Sequence, residues 1–235
     1  MAVDGFELVS CSPELFLTFT SSADGVQIST KPIKGTRPRG QTPQTDDALK
    51  NELATSDKDR AENVMIVDLL RNDLGKVAKT GTVDVPKLFE IESFANVHHL
   101  VSTVTATLTN DTHPLQALFA SLPAGSVTGT PKKRSVELIG EIESQPRGAY
   151  CGTMGFMNFY QLNTRADEHS IPDKKLGKWN VLIRTVQKQA DGQVNVWAGG
   201  GITVGSTCEA EYQECVDKVG NLLAVLGGEE GDDEN

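Results

Sequence analysis

The run Val101-Ser102-Thr103-Val104-Thr105-Ala106-Thr107-Leu108 alternates apolar and small polar residues almost without a break. Successive side chains of a strand point to opposite faces, so this run suits a strand with one buried face and not a helix. Other strand-like runs surround it. They lie at 6–11, 15–19 and 26–30, the last after the turn Ala23-Asp24-Gly25, and β-rich stretches cover 83–91 and 95–108. Further strands are expected at 149–159, 179–189 and 194–198. A polar loop with Pro and Gly is expected over 36–45, and a short helix over 46–54. Ser56, with Asp59 three residues on, reads as the N-cap of a long helix to about residue 74. His113-Pro114 opens a helix that ends near 122, and 123–129 is a small-residue loop. Pro131 at a first helical position opens a helix to about 143, and the last helix covers 208–226. Strand hairpins mixed with helices, without strict alternation, give an α+β fold with a mainly antiparallel sheet.

The chain has 235 residues, of which 38% are hydrophobic, enough for one large or two small domains with a real core. One domain is expected over 1–227, followed by an acidic, disordered tail over 228–235. The stretch 160–178 is polar and aperiodic and reads as a long surface loop. No apolar run is long enough to span a membrane, and Met1-Ala2-Val3-Asp4-Gly5 is neither a signal nor a transit peptide. The formal charge is −10, and no basic stripe with interleaved aromatics occurs, so nucleic acid and membrane are not expected partners. Cys11, Cys151, Cys208 and Cys215 lack zinc or disulfide-framework spacing. They read as reduced, mostly buried thiols of a cytoplasmic protein.

Three constellations carry chemistry. Lys34, in Pro32-Ile33-Lys34-Gly35-Thr36, sits where a strand breaks between a residue without a backbone donor and one free to turn. Lys31, Arg37 and Arg39 flank it, and nearby like charge disfavours a protonated amine, so Lys34 is a candidate nucleophile or, alternatively, part of a basic surface loop. On the last helix, Tyr212, Cys215, Val216, Val219, Leu222, Leu223 and Leu226 form a core stripe, with Ser206 as N-cap and Glu209 completing a capping box. Glu211, Glu214 and Lys218 share a second face of it. The long helix repeats this with Asp59 and Glu62, beside apolar Val64, Met65, Val67 and Leu70. Two such acidic pairs suit one hard divalent cation such as magnesium, or are simply solvated faces. Gly199-Gly200-Gly201 between a strand and this helix is an anion nest or a tight turn. Arg184, a lone cation in an apolar strand, suits a carboxylate ligand or a solvent face.

These motifs together resemble the chorismate-utilising enzymes, which include anthranilate synthase component I, aminodeoxychorismate synthase component I and the isochorismate and salicylate synthases. The resemblance rests on Ser12-Pro13-Glu14, 32–40, Asp59-Arg60-Ala61-Glu62-Asn63, 68–75, His99-Leu100-Val101-Ser102, 123–132, Gly148-Ala149-Tyr150-Cys151-Gly152, Ile183-Arg184-Thr185, the glycine triplet and 211–218, in the family's order. It implies that Glu62 and Glu214 bind magnesium, with Asp59 and Glu211 near the ion. The metal would hold the ring carboxylate of chorismate, Lys218 and the amides around Gly200 and Gly201 would bind carboxylate oxygens, and Tyr150 and Arg184 the enolpyruvyl carboxylate. His99, Ser126 and Thr128 would line the pocket, and Glu14 would be the general acid for the leaving C4 hydroxyl. Lysine at position 34 is similar to the aminodeoxychorismate branch, where it adds at C2 before ammonia from a glutaminase subunit adds at C4. Anthranilate synthesis is the alternative. The chain resembles only the C-terminal part of the family's catalytic subunit. A further alternative is therefore a non-catalytic chorismate-binding piece that self-associates or needs a complementing chain.

Overall fold

A computed structural model describes residues 2–3, 5–158 and 174–227. The expected loop over 160–178 lies mostly outside the described residues, and the expected acidic tail over 228–235 wholly so. The chain divides into two compact units rather than the single domain expected. The larger comprises Glu14–Ser144 and Thr153–Asn180, and the smaller Met1–Pro13, Gln145–Gly152 and the chain from Val181 onward.

The larger unit is built on strands β3 (Leu15–Ser22), β4 (Gly25–Lys31), β5 (Ile33–Pro38), β6 (Asp84–Ser93), β7 (Val97–Thr107), β8 (Thr153–Met157) and β9 (Lys175–Val181). They form one seven-stranded sheet in the order β5-β7-β4-β3-β9-β8, with β6 also paired to β7. The described pairs β3–β4, β3–β9, β4–β7, β5–β7 and β6–β7 are all antiparallel, as hairpin-rich patterning predicts. β4 and β5 follow one another along β7 in a single register, from Gln27 opposite Thr107 to Ile33 opposite Val101. Pro32 keeps its place in this line because its carbonyl still accepts from Ser102 N at 3.3 Å. The sequence led us to expect a loop from Thr36; the strand instead runs to Pro38.

Between Ile33 and Thr36 the register slips by one residue, so β5 carries a bulge at Lys34 and Gly35. Gly35 has φ +85°, and a Cβ there would stand 2.8 Å from Asp59 Cγ and from Leu53 Cδ1. Both the backbone angle and the close approach therefore require glycine.

Two helices pack on this sheet, and two shorter ones follow. α1 (Pro43–Thr55) is capped by Thr42 and Thr45 in a capping box, three residues earlier than the sequence indicates. Its one buried residue is Leu53, and polar ties fix the rest. Asp46 accepts two bonds from Arg39 and one from Gly40 N, and shares one with the buried ring of His98, whose other nitrogen meets Ser93 Oγ. α2 (Asp57–Gly75) is capped by Ser56 as expected. It buries Asn63, Ile66, Val67, Leu70, Asp73 and Leu74, a helical stripe, whereas Val64 and Met65 are 41% and 40% exposed and do not belong to it. Of the buried polar members, Asn63 accepts through Oδ1 from Ser102 Oγ on β7 while its Nδ2 has no partner among the described residues, and Asp73 pairs with lysines. α3 (Pro114–Ser121) is capped by His113, a 3-10 turn covers Gly125–Val127, and α4 is Lys132–Ile142. The core holds Leu17, Phe19, Ile28, Leu53, Ile66, Leu74, Leu100 and Val104, each at most 2% exposed. Each such side chain contributes about 1.5–3 kcal/mol on burial. Trp179 meets Phe19 edge-on with ring centroids 5.7 Å apart.

The smaller unit is a four-stranded sheet, β1 (Ala2–Val3), β2 (Phe6–Ser10), β10 (Thr185–Gln189) and β11 (Val194–Val196), in the order β1-β2-β10-β11, with helix α5 (Cys208–Leu226). The strand expected over 179–189 is in fact two, β9 and β10, in different sheets. The chain breaks at Leu182–Arg184, with Arg184 at φ +48°. The strand expected from Ala149 starts only at Thr153, after a turn with Cys151 at φ +66°. α5 has the expected span, but Thr207 is its N-cap, not Ser206. Its expected core stripe is half open: Tyr212 is 70% and Leu226 48% exposed, and the one buried residue of α5 is Glu211. None of the four cysteines is buried, and all are free. No described helix is long and apolar enough to cross a membrane.

Two stability predictions follow from these ties. Gly35→Ala should destabilise the protein by about 1–3 kcal/mol or more, since strain at positive φ and contact with Asp59 add, as read by urea unfolding with Trp179 fluorescence. Hydrogen bonds from Arg39 and Gly40 hold the Asp46 carboxyl far below its ordinary value. A depressed acid stabilises the folded state above its unfolded pKa, and this is lost as pH falls below about 4 through the folded value. Asp46→Asn should thus be less stable than the parent at pH 7, with the gap narrowing as the pH falls below about 4 in melting curves.

Candidate active site

The residues singled out in the sequence sort onto the two units. On the larger unit the bulge in β5 presents Lys34, whose Nζ lies 3.5 Å from the carbonyl of Ser126 in the 3-10 turn. That turn is pressed onto α2, where a Cβ on Gly125 would come within 2.6 Å of Leu69 Cδ2. Thr128 closes the turn, its hydroxyl donating to the carbonyls of Ala124 and Gly125. His99 on β7 is buried, its Nδ1 2.9 Å from Thr36 Oγ1 on β5 and its ring 5.6 Å from Phe94. Glu14 is buried at the head of β3. Asp59 stands on the first turn of α2, against Gly35, and is paired with Arg37 at 3.3 Å. Glu62 follows it one turn on, half-buried.

The like-charge setting expected around Lys34 does not arise. Lys31 pairs with Glu92, Arg37 with Glu52 and Asp59, and Arg39 with Asp46. Each neighbouring cation is matched by a carboxylate.

On the smaller unit the residues form one connected cluster. Cys151 N donates to Leu182 O at 2.9 Å and Leu182 N to Gly152 O at 2.8 Å. These bonds draw the turn bearing Tyr150 beside the break bearing Arg184. Arg184 is therefore not a cation within a strand. It sits at a strained positive φ, fixed in part by the bond from Cys11 N to its carbonyl. Tyr150 stacks on Trp197, centroids 6.4 Å apart, and its Oη would be 3.0 Å from a Cβ on Gly199. Burial pushes the Tyr150 phenol well above its ordinary value, with a smaller contribution from Cys151. It is thus a neutral hydrogen-bonding group over the whole physiological range.

Next to it, Lys218 Nζ donates to Gly199 O at 2.8 Å and to Glu214 Oε1 at 2.5 Å. Gly200 is hemmed in by acids. A Cβ there would meet Glu211 Oε2 at 2.7 Å and Glu214 Oε1 at 3.6 Å. Ser206 does not cap the helix but donates to Glu211 Oε1 at 2.5 Å. The second oxygen, Glu211 Oε2, is buried with no hydrogen-bond partner among the described residues. A carboxylate oxygen shut from water without a partner is costly, and it stands where a cation would relieve it. The donor set is all oxygen, which suits magnesium. Within each unit, the described residues place no three His, Cys, Asp or Glu side chains together as a finished metal site. Gly201 is exposed.

Sequence reasoning missed several supporting groups. Arg37 holds Asp59, Ser206 holds Glu211, and Lys132 of α4 pairs with buried Asp73. Asp73 had a readable signal, since it falls in the stripe of Ile66 and Leu70 where an acid demands a partner.

The chain matches the family of chorismate binding enzymes over residues 1–224. It is 46% identical over 220 residues to aminodeoxychorismate synthase component 1 of Escherichia coli strain K12, covering 93% of this chain and 44% of that protein. It is 41% identical over 214 residues to an anthranilate synthase component 1 of Haloarcula marismortui, covering 91% of this chain and 40% of that protein. Among solved structures, anthranilate synthase component I from Streptococcus pneumoniae TIGR4 superposes with a TM-score of 0.73 at 33% identity, covering 91% of this chain and 43% of that chain. The chain thus spans less than half the length of these relatives. With its mainly antiparallel α+β fold and the motif residues of both units in place, the chain belongs to the chorismate binding enzyme family.

Proposed function

We propose that this chain carries the chorismate-converting part of an aminodeoxychorismate synthase. The observation that carries the reading is Lys34, set on a bulge that only Gly35 permits, with its amine against the Ser126 carbonyl. A fixed primary amine is what a covalent addition–elimination route needs. The amine lone pair forms a bond to C2 of chorismate, the diene electrons shift toward C4, and the C4–O bond breaks. Glu14 supplies the proton with which that oxygen leaves as water. Ammonia then adds at C4, the electrons shift back, the C2–N bond breaks, and Lys34 is regenerated. The product is 4-amino-4-deoxychorismate, a precursor of 4-aminobenzoate and folate. Ammonia is the co-reactant, and a glutaminase subunit is the partner proposed to supply it, in the cytoplasm.

In this reading Glu211 and Glu214 would hold magnesium, as their convergence on Gly200 and the unpartnered Glu211 oxygen support. Bound there, the ion would act as a Lewis acid toward a substrate carboxylate and the ring. Glu62 and Asp59 are proposed as the acidic pair of the larger unit. Tyr150, Arg184, Lys218 and the Gly200 and Gly201 amides orient the carboxylates of the substrate, while His99, Ser126 and Thr128 shape its surroundings. The second reading, anthranilate synthesis, is favoured by the 41% identity to the Haloarcula protein, only slightly below that to the Escherichia coli one. Lys34 separates the two.

Lys34→Ala should abolish aminodeoxychorismate formation from chorismate, magnesium and ammonium, measured by chromatography, and should remove the adduct mass that the parent chain shows by mass spectrometry. Undiminished aminodeoxychorismate turnover would exclude the nucleophile role, and ammonia-dependent anthranilate formation by Lys34→Ala would favour the second reading. Glu211→Gln should lose the magnesium-dependent rise in thermal midpoint that the parent shows, a ligand-linkage effect that needs no turnover.

A further inference from the structure

We infer that the ion pair of Asp73 and Lys132 is a positioning device for the Lys34 amine. This rests on the reading of Lys34 as the nucleophile. Asp73 lies in the last turn of α2 and is 1% exposed. Its Oδ2 accepts from Lys132 Nζ, and its Oδ1 accepts from Lys76 Nζ at 3.0 Å. Lys132 is the first residue of α4, and the same ammonium donates to the carbonyl of Ser121, the last residue of α3, at 3.1 Å. One ammonium therefore joins the two ends of the segment 122–131 and fastens both to α2.

The segment so closed contains the 3-10 turn. Inside it, Val127 N and Thr128 N bond to Ala124 O and Gly125 O, and Gly125 lies against Leu69 of α2. The turn is thus held to α2 at two points, by packing at Leu69 and by charge at Asp73, one turn of helix apart. The Ser126 carbonyl that meets Lys34 is carried between them. Lys132 gives two of its three donors to Asp73 and Ser121 and its side chain is only 16% exposed, so it acts through the turn and not on substrate. A buried pair that adds little net stability is well suited to fixing geometry.

The test compares the parent chain with the double variant Asp73→Asn/Lys132→Met, which removes both charges together and leaves no unpaired buried ion. Folded protein is acetylated with limiting acetic anhydride. Labelling at Lys34 is read by peptide mass spectrometry and normalised to exposed Lys50 and Lys58. The expected result is a normalised Lys34 labelling outside the scatter of parent samples, with kcat lowered by about 10- to 100-fold and KM for chorismate little changed. Lys132→Arg, which keeps the charge and both bonds, should restore both values. Should circular dichroism show the double variant unfolded, Lys132→Gln, which leaves Asp73 its bond to Lys76, is read in the same way. Parent-like Lys34 labelling in a folded variant, with only the melting point lowered, overturns the inference. Labelling needs no turnover, so if Lys34→Ala remained active the nucleophile reading would fall while this result still decided the positioning.

Discussion

Strand β7 must satisfy backbone hydrogen bonds on both of its edges, and most of the larger unit follows from how it does so. β6 lies along one edge, and β4 and β5 share the other. Proline 32 cannot donate, yet its carbonyl keeps the line intact, so the register set at Gln27 still holds at Ile33. The extra residue at Lys34 and Gly35 is then the one place where β5 departs from its partner. A bulge in a strand pinned before and after has nowhere to relax, so the lysine inherits the rigidity of the sheet. The cover of β7 matters equally. Ser102 bonds to Asn63 of α2 and His98 to Asp46 of α1, which fixes both helices to the strand from which Lys34 is measured.

The smaller unit is organised by an inversion of the usual helix pattern. Helix α5 buries an acid and leaves much of its apolar stripe exposed. Burying a carboxylate costs stability unless its oxygens are partnered, and Ser206 partners one oxygen of Glu211 beside the glycine. Gly200 makes the approach possible, since any side chain there would strike the Glu211 carboxylate. Arg184 tells the same story in the backbone: a non-glycine residue at φ +48° sits beside the Tyr150 turn and is locked there by paired backbone bonds.

Much of this was legible in the sequence, for identifiable reasons. Alternation in 101–108, the Ser56 cap and the helix start at His113-Pro114 depend on local pattern, and the structure keeps them. The motif residues, read as a resemblance, are divided between the units, with Glu14, Lys34, Asp59, Glu62 and His99 on the larger and Tyr150, Arg184, Glu211, Glu214 and Lys218 on the smaller. The failures were non-local. A run such as 179–189 looks like one strand because nothing in its residues announces that the chain changes sheet at Leu182–Arg184. Thr36 looked like loop because the strand that completes β5 is sixty residues away. Ser206 and Thr207 are both competent caps, and what chose between them was the pull of Glu211 on Ser206. The acidic partners of Lys31, Arg37 and Arg39 were equally invisible, since all four lie on another element.

That last point changes the physical account of Lys34. If crowding by like charge made the amine special, matching each neighbour with a carboxylate would cancel the effect, and it is so matched. What distinguishes Lys34 is its partner. Among the described residues, Lys31, Arg37 and Arg39 hold carboxylates, whereas Lys34 holds a backbone carbonyl at 3.5 Å. A charge-assisted bond is roughly twice as strong as a neutral one, and a long contact to a carbonyl is weaker still. An amine so held is oriented but easily released, whereas an ion-paired lysine would have to break its pair before it could attack. The ion pairs on the neighbours fix those side chains, and Asp59, the acid that stands against Gly35, is already held by Arg37. If Lys34 is the nucleophile proposed above, selectivity for it would be a matter of which cations are already paired, set by the positions of Glu52, Asp59 and Asp46 on α1 and α2 and of Glu92 on β6.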